Sequence, residues 1–171
     1  MAEVAAESLV VEGHLADEQQ YLTFIMSGEE YGVDILAVQE IRGWEAPTLI
    51  PNSPSFIRGV INLRGTIVPI MDLRLRFGLS EAGYTATTVV IILKFDSDTG
   101  ERVLGIVVDA VSDVYTIADT EARKPPELTE DENSDFIKGL VNVSEKMVIL
   151  LDVEKLLDLH LQVLSEQVIT D

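Results

Sequence analysis

The sequence predicts an all-β protein, mainly strands with a few short helices, that is divided into two similar barrel-shaped subdomains. Short apolar runs recur along the 171-residue chain, and the residues between them, such as Ser27-Gly28 and Arg64-Gly65, are typical of hairpin turns. Phe56–Phe77 aligns without gaps on Phe136–Leu157, which indicates an internal repeat. With 47% hydrophobic residues the chain can bury a sizeable core.

The repeat consists of two blocks in the same order. Phe56–Phe77 recurs 80 residues later (136 minus 56), and Gly32–Ile41 recurs as Gly105–Val114, 73 residues later (105 minus 32). In the later block the pairs of identical residues are Phe56/Phe136, Ile57/Ile137, Gly59/Gly139, Asn62/Asn142, Val68/Val148 and Asp72/Asp152. The hairpin tips differ, because Arg64-Gly65 is replaced by Ser144–Lys146. Duplication therefore predicts two barrels with a groove between them, and the difference favours a functional role for Arg64.

The first half of the chain is expected to begin with a mobile acidic tail over residues 1–18. Strands are predicted through Tyr21–Ile25 and from Tyr31 onward. Within Asp34–Ile41 apolar residues recur at every third position, which suits a short helical turn as well as a twisted strand. Pro69 cannot donate a ladder hydrogen bond, so it indicates a sheet edge or a bulge.

The rest of the chain continues with a short helix and further strands and ends with a helix. Asp72 is placed as the N-cap of a short helix that Gly78 ends. Thr87–Lys94 predicts a buried strand, Val103–Val114 another apolar strand region, and Glu127–Asp135 an exposed loop. A C-terminal amphipathic helix is predicted from an apolar face formed by Leu156, Leu157, Leu161, Leu164 and Val168. Residues 159–171 are expected to be the end of this helix and a tail.

Composition excludes several classes of partner. The formal net charge of −18 disfavours nucleic acid and anionic membranes, which would be repelled at long range. The start of the chain has neither a basic region nor a long apolar run, so we expect no signal peptide, no membrane insertion and a cytoplasmic location. One stretch is basic, since it carries four arginines against one aspartate, or +3: Arg58, Arg64, Arg74 and Arg76 against Asp72.

The sequence offers little support for catalysis, a cofactor or a metal. Cysteine is absent, and both histidines, His14 and His160, lie outside the repeated blocks. Asp96–Gly100 lacks the glycine and glutamate spacing of an EF-hand and is better interpreted as a hairpin turn. Asp72 and Asp152 are repeat mates that could form a carboxylate pair, but capping is the favoured interpretation. We therefore expect no enzyme, and an enzyme acting through these aspartates is the weaker alternative.

The motifs around the hairpin resemble those of the CheW family of bacterial chemotaxis coupling proteins. The residues that carry the resemblance are Pro54–Gly59, Asn62–Gly65, Ile67–Arg74, Tyr31–Gly43 and Gly105–Val114. The resemblance covers roughly Gln20 to Leu157. It implies a CheW-like domain over residues 19–158, made of two interlocked SH3-like β-barrel subdomains.

The resemblance also implies a function, which is a non-catalytic adaptor between the cytoplasmic tips of methyl-accepting chemotaxis receptors and the histidine kinase CheA. The kinase's regulatory domain resembles this family, and self-association in array rings is a further expectation. The implied receptor-binding residues are Ile35, Val38, Glu40, Ile41, Gly59 and Arg64. Ile35, Val38 and Ile41 would be apolar anchors or simply core, and Arg64 a charged clamp or a solvated turn residue. A CheW-like peptide-binding scaffold that serves a non-chemotaxis kinase pathway is the alternative.

Overall fold

The computed structural model describes residues 18–79, 83–97, 100–118, 121–123 and 136–156, and these form ten strands and a few short helical turns. The strands are β1 (Glu18–Met26), β2 (Glu29–Asp34), β3 (Val38–Gly43), β4 (Ile57–Leu63), β5 (Thr66–Asp72), β6 (Val89–Ser97), β7 (Gly100–Val108), β8 (Ala110–Ala118), β9 (Ile137–Val143) and β10 (Lys146–Leu151). A 3-10 helix (Ile35–Ala37) precedes β3, helix α1 (Leu73–Arg76) follows β5, and residues 153–156 are helical.

Three predicted segments lie outside the described residues. They are the acidic tail up to residue 17, the loop Glu127–Asp135 and the C-terminal helix beyond Leu156. Of the predicted hairpin turn at Asp96–Gly100, residues 98 and 99 are also outside. No helix in the described part of the chain is long and apolar enough to span a membrane.

The strands form two five-stranded sheets that correspond to each other under the repeat. The first barrel has the order β8-β1-β2-β10-β9 and the second barrel the order β3-β6-β7-β5-β4. The β1–β2 hairpin of the first half therefore lies with strands of the second half, and β6–β7 lies with strands of the first half. In each barrel one pair of strands is parallel, β10 with β2 and β5 with β7. The all-β prediction is confirmed, and the exchanged hairpins interlock the two barrels.

Apolar side chains form one core shared by both barrels and a smaller core inside each. The central core takes residues from both sheets, including Phe24 and Val33 from one and Ile91 and Ile106 from the other. The core of the second barrel includes Val68, Ile70, Val90 and Ile92. The core of the first barrel includes Tyr21, Val141, Val148 and Leu150. Two-sided burial explains why these strands are continuous apolar runs and not simple alternations.

The repeated hairpins have the same turn conformation. Arg64 and Gly65 have φ of 52° and 93°, and Ser144 and Glu145 have φ of 51° and 68°. Both turns therefore use the left-handed conformations that two-residue hairpins favour. In the first copy Asn62 Oδ1 accepts a hydrogen bond of 2.8 Å from the Gly65 N–H, which supports the predicted turn. The Asp72 side chain accepts from the Arg74 N–H, so the predicted N-cap is confirmed.

The structure resolves one open alternative and corrects two details. Asp34–Ile41 contains both elements that the pattern allowed, a 3-10 helix followed by β3. The apolar region Val103–Val114 is two strands that meet at Asp109. Pro69 lies neither on an edge strand nor at a bulge, since β5 is flanked by β4 and β7. The pairing of β5 with β7 begins at Ile70, so the missing N–H of Pro69 interrupts no bond of that ladder.

Candidate functional site

Glu40 and two arginines form an ion-pair cluster at one end of the second barrel. Arg64, at the tip of the β4–β5 hairpin, pairs through Nη2 with Oε1 of Glu40 on the edge strand β3. Arg42, two residues along β3, donates from Nη1 to Oε2 of Glu40 at 3.2 Å. The side chain of Arg64 is 66% exposed, whereas that of Glu40 is 26% exposed. The hairpin tip is thus joined to the opposite edge of the sheet through residues 24 positions apart in sequence.

The two guanidinium groups hold the pKa of the Glu40 carboxyl below its ordinary value. The hydrogen bond from Arg64 is the largest cause, burial opposes it, and the hydrogen bond from Arg42 adds to it. A carboxyl whose pKa is lowered in the folded state stabilises the fold above its ordinary pKa and loses that contribution as pH falls. Glu40 is therefore charged at neutral pH, and the cluster carries a net charge of +1 (two arginines minus one glutamate).

The three apolar residues expected beside this cluster differ in exposure. Ile35 and Val38 are half-buried and pack against the central core, which supports the core alternative and leaves their role as receptor anchors a prediction. Ile41, between Glu40 and Arg42 on β3, is 44% exposed. Ile67, just after the hairpin tip, is also exposed. Exposed apolar side chains therefore occur on the same strand and the same hairpin as the ion-pair cluster, and we call Glu40, Ile41, Arg42, Arg64 and Ile67 the basic end.

Gly59 lies apart from the basic end, and it allows two backbone segments to approach each other. Its φ is 138°, and a Cβ there would lie 2.2 Å from the carbonyl oxygen of Thr48. The loop after β3 meets β4 at this point, because Thr48 and Val60 exchange two backbone hydrogen bonds of 2.9 Å. In the register of the sheet Gly59 lies at the opposite edge from Glu40. Position 59 therefore requires glycine, because the backbone conformation and the nearby Thr48 carbonyl leave no room for a side chain.

Replacing Gly59 with alanine is expected to destabilise the protein by roughly 2–4 kcal/mol, because the positive φ and the backbone overlap add. The repeat supplies a matched control, since Gly139→Ala places a Cβ 3.2 Å from the Arg123 carbonyl oxygen, without a positive φ. Urea unfolding of the two variants measures the difference. Equal losses in the two variants would contradict a special requirement at Gly59.

The predicted basic stretch does not form one surface patch. Arg74 is buried, with 2% of its side chain exposed. Arg76 lies over the rings of Phe56 and Phe136, at 5.3 and 4.8 Å from their centroids. Arg58 is half-buried near the ring of Tyr84. Of the four arginines in this stretch, Arg64 is therefore the exposed one, which narrows the basic surface to its hairpin tip.

Arg74 is held in a buried network that sequence patterns did not reveal. Its Nε and Nη2 donate to both carboxylate oxygens of Asp72 at 2.9 Å, and its Nη1 donates to Asp109 Oδ1 at 2.8 Å. Tyr84 donates its hydroxyl hydrogen to Asp72 Oδ2 at 2.9 Å. These carboxylates raise the pKa of Arg74, with the Asp72 hydrogen bonds as the largest cause. Asp72 therefore caps α1 and binds Arg74.

The alternative carboxylate pair of Asp72 and Asp152 has no support in this geometry. Asp152 Oδ1 accepts a hydrogen bond from the Lys155 N–H at 3.1 Å, a capping contact. Each aspartate N–H also donates at 2.7 Å to the carbonyl oxygen of its repeated phenylalanine, Phe56 or Phe136. Within the described residues, no group of three or more acidic or histidine side chains is arranged to hold a metal ion.

Comparison with known proteins identifies the family of this chain. The family model of the CheW-like domain matches residues 20–160. The chain belongs to the CheW-like domain family. A chemotaxis protein CheW from Klebsiella aerogenes is 50% identical over 139 residues, which are 81% of this chain and 81% of that protein. A probable chemotaxis protein CheW from Rhizobium etli is 37% identical over 139 residues, covering 81% of this chain and 87% of that protein.

A solved CheW structure agrees with the fold. The crystal structure of the scaffolding protein TtCheW from Thermoanaerobacter tengcongensis superposes with a TM-score of 0.69 at 34% identity, covering 78% of this chain and 84% of that one. The expected family and its fold of two SH3-like subdomains are confirmed. Within this CheW-like domain the Glu40–Arg64 pair joins two of the six residues implied as receptor-binding.

Sequence reasoning missed two members of the basic end, Arg42 and Ile67. A usable signal existed for Arg42, because residues two apart on a strand share a face, which places it beside Glu40. Ile67 was assigned to the outgoing strand with no statement about its face. Its repeat mate Met147 is also apolar and exposed, but an apolar residue in both copies gave no sequence signal of exposure.

Proposed function

We propose that this protein is a non-catalytic adaptor that couples methyl-accepting chemotaxis receptors to the histidine kinase CheA. The observation that carries the proposal is the basic end, where an exposed arginine pairs with Glu40 and two isoleucines are exposed in a CheW-like fold. A receptor tip is a helical hairpin, and a docked helix needs apolar anchors with a charged group at the rim. We assign the anchors to Ile41, Val38 and Ile35.

Arg64 can bind a receptor carboxylate while it keeps its ion pair with Glu40. A guanidinium has five N–H donors in a planar fork, and in this structure Nη2 donates to Glu40 Oε1. The remaining donors of the exposed side chain can contact a second carboxylate. Glu40 then acts as a positioning residue that holds the fork at the hairpin tip, and Gly59 acts through the backbone that supports β4.

The proposed contact with the kinase is between whole barrels of the two proteins. Because the regulatory domain of the kinase resembles this family, two such domains can pack barrel against barrel, and repeated contacts of that kind would close into rings. The location that follows from these partners is the cytoplasm, at receptors on the inner face of the membrane.

Reconstitution of kinase activity tests the proposal. Kinase, receptor membranes and this protein are mixed, and autophosphorylation of the kinase is measured with and without attractant. We expect attractant control of the kinase only when this protein is present. A kinase that responds equally well without the protein, or that stays unresponsive with it, would rule out the adaptor function. Omission of receptor is the control for direct activation.

A further inference from the structure

Strand β3 carries three residues of the basic end and is held in its sheet on one side only. In the second barrel, as far as the structure describes it, β3 is an edge strand that pairs with β6. The register of this pairing shifts between Val38 and Glu40, so the ladder is interrupted just before Ile41 and Arg42. Because a docked helix needs side chains in fixed positions, contacts that hold β3 outside the ladder affect binding.

The end of β3 is covered by an aromatic stack. Trp44 directly follows the strand, and its N–H donates to the carbonyl oxygen of Thr88 at 3.2 Å. The rings of Trp44 and Tyr84 are stacked, with their centroids 4.0 Å apart and their planes inclined by 8°. Aromatic pairs stabilise a fold beyond the area that they bury. The chain directly after β3 is therefore fixed by Tyr84 as well as by the sheet.

Tyr84 is itself fixed to the buried network around Arg74. Its hydroxyl donates to Asp72 Oδ2 at 2.9 Å, and the guanidinium carbon of Arg74 lies 5.1 Å from the centroid of its ring. The carbonyl oxygen of Gly83, one residue earlier, accepts a hydrogen bond of 3.2 Å from Arg74 Nη1. Four residues after Tyr84, Thr88 is buried. The stack therefore connects the end of an edge strand to buried residues of the protein.

We propose that Tyr84 is a positioning residue for receptor binding, which fixes the end of β3 through its stack on Trp44 and thereby holds the side chains of the basic end in their binding positions. This inference rests on the proposed function, which assigns the basic end to the receptor. The ion pair with Arg64 fixes β3 at Glu40, and the stack fixes the chain four residues later, at Trp44. Ile41 lies between these two points.

The energy of the stack limits the size of the effect. When the Tyr84 ring is removed, receptor binding can weaken only by as much as the stack contributes to holding β3 in the binding position. For an aromatic pair this corresponds to a loss of affinity of about two- to ten-fold. Phenylalanine keeps the ring, so Tyr84→Phe should bind within about two-fold of the wild type.

Titration calorimetry of the full-length protein with a receptor signalling fragment tests the inference. The variants are Tyr84→Ala, which removes the stack, and Tyr84→Phe, which removes only the hydroxyl bond to Asp72. Val148→Ala is the control for general loss of stability, because it removes buried volume from the core of the first barrel. At a temperature at which all proteins are folded, we expect weaker binding by Tyr84→Ala alone.

Two measurements on the free protein separate a positioning role from a direct contact with the receptor. Trp44 is the single tryptophan of the chain, so its fluorescence reports on the stack. We expect emission at longer wavelength and stronger quenching by acrylamide in Tyr84→Ala, and no change in Tyr84→Phe. Amide hydrogen exchange in β3 should be faster in Tyr84→Ala than in the wild type, whereas exchange in β10 should be unchanged.

The outcomes separate this inference from the proposed function. If the wild type does not bind the receptor fragment, the proposed function fails, whatever the exchange in β3 shows. If the wild type binds and Tyr84→Ala binds equally well, the inference alone fails. Weaker binding by Tyr84→Ala without faster exchange in β3 would mean that the ring contacts the receptor directly, which would overturn the positioning role. Equal losses in Tyr84→Phe or in Val148→Ala would also overturn it, because the stack is kept in both.

Discussion

Replacing Arg64 with glutamate is expected to weaken receptor binding by at least about ten-fold, because the variant removes the cation and places a like charge beside Glu40. The fold should change little, since Arg64 is mostly exposed and exposed ion pairs contribute about 0–1 kcal/mol. Pull-down with a receptor signalling fragment, followed by calorimetry, measures the loss. Binding of the kinase regulatory domain should remain close to that of the wild type.

Two controls make the Arg64 prediction specific. Lys146→Glu applies the same charge change to the exposed hairpin of the first barrel and should leave receptor binding intact. The exchanged variant Glu40→Arg with Arg64→Glu restores the ion pair within the chain but presents a carboxylate at the tip. If the exchanged variant binds receptor normally, Arg64 serves only the ion pair with Glu40, and its proposed contact with the receptor is wrong.

The scaffold could be predicted from the sequence because its determinants are local or repeated. The turn at Arg64-Gly65, the cap at Asp72 and the stop at Gly78 each depend on a few adjacent residues, and each was found. The two-barrel architecture followed from the repeated block Phe56–Phe77, in which core positions match core positions. Equivalent strands then occupy equivalent places in the two sheets.

The long-range contacts of charged residues could not be predicted, because they depend on pairings between residues that are distant in sequence. The exchange of hairpins between the halves brings Asp109, at the β7–β8 junction, to Arg74, 35 residues away. A count of charges along the sequence gave Phe56–Phe77 a net positive charge. In the structure, however, Asp72 and Asp109 both bind Arg74 and neutralise its charge. Glu30 posed the reverse problem, since it is buried in the structure although a glutamate beside Glu29 gave no sign of burial.

Removing the Arg74 side chain is expected to cost about 3–5 kcal/mol of the free energy of unfolding, because Asp72 would remain buried without a counter-charge. Urea denaturation of Arg74→Ala measures the loss. The repeat again supplies a control, since Glu154 is the exposed residue at the equivalent position of the second copy, and Glu154→Ala should change stability by less than about 0.5 kcal/mol.

A double variant separates the charge from the packing of Arg74. Arg74→Met keeps most of the side-chain volume but leaves the Asp72 carboxylate unpaired, whereas Arg74→Met combined with Asp72→Asn removes the charge as well. Asparagine can still cap α1 through its Oδ1, and its Nδ2 can donate to the Tyr84 hydroxyl oxygen, so the double variant should be more stable than Arg74→Met alone. A double variant less stable than Arg74→Met would mean that the Asp72 carboxylate still stabilises the fold without its counter-charge, through the α1 cap and the Tyr84 hydroxyl. In that case an uncompensated charge is not the cause of the loss in Arg74→Met, and the hydrogen bonds of the guanidinium itself would be the cause.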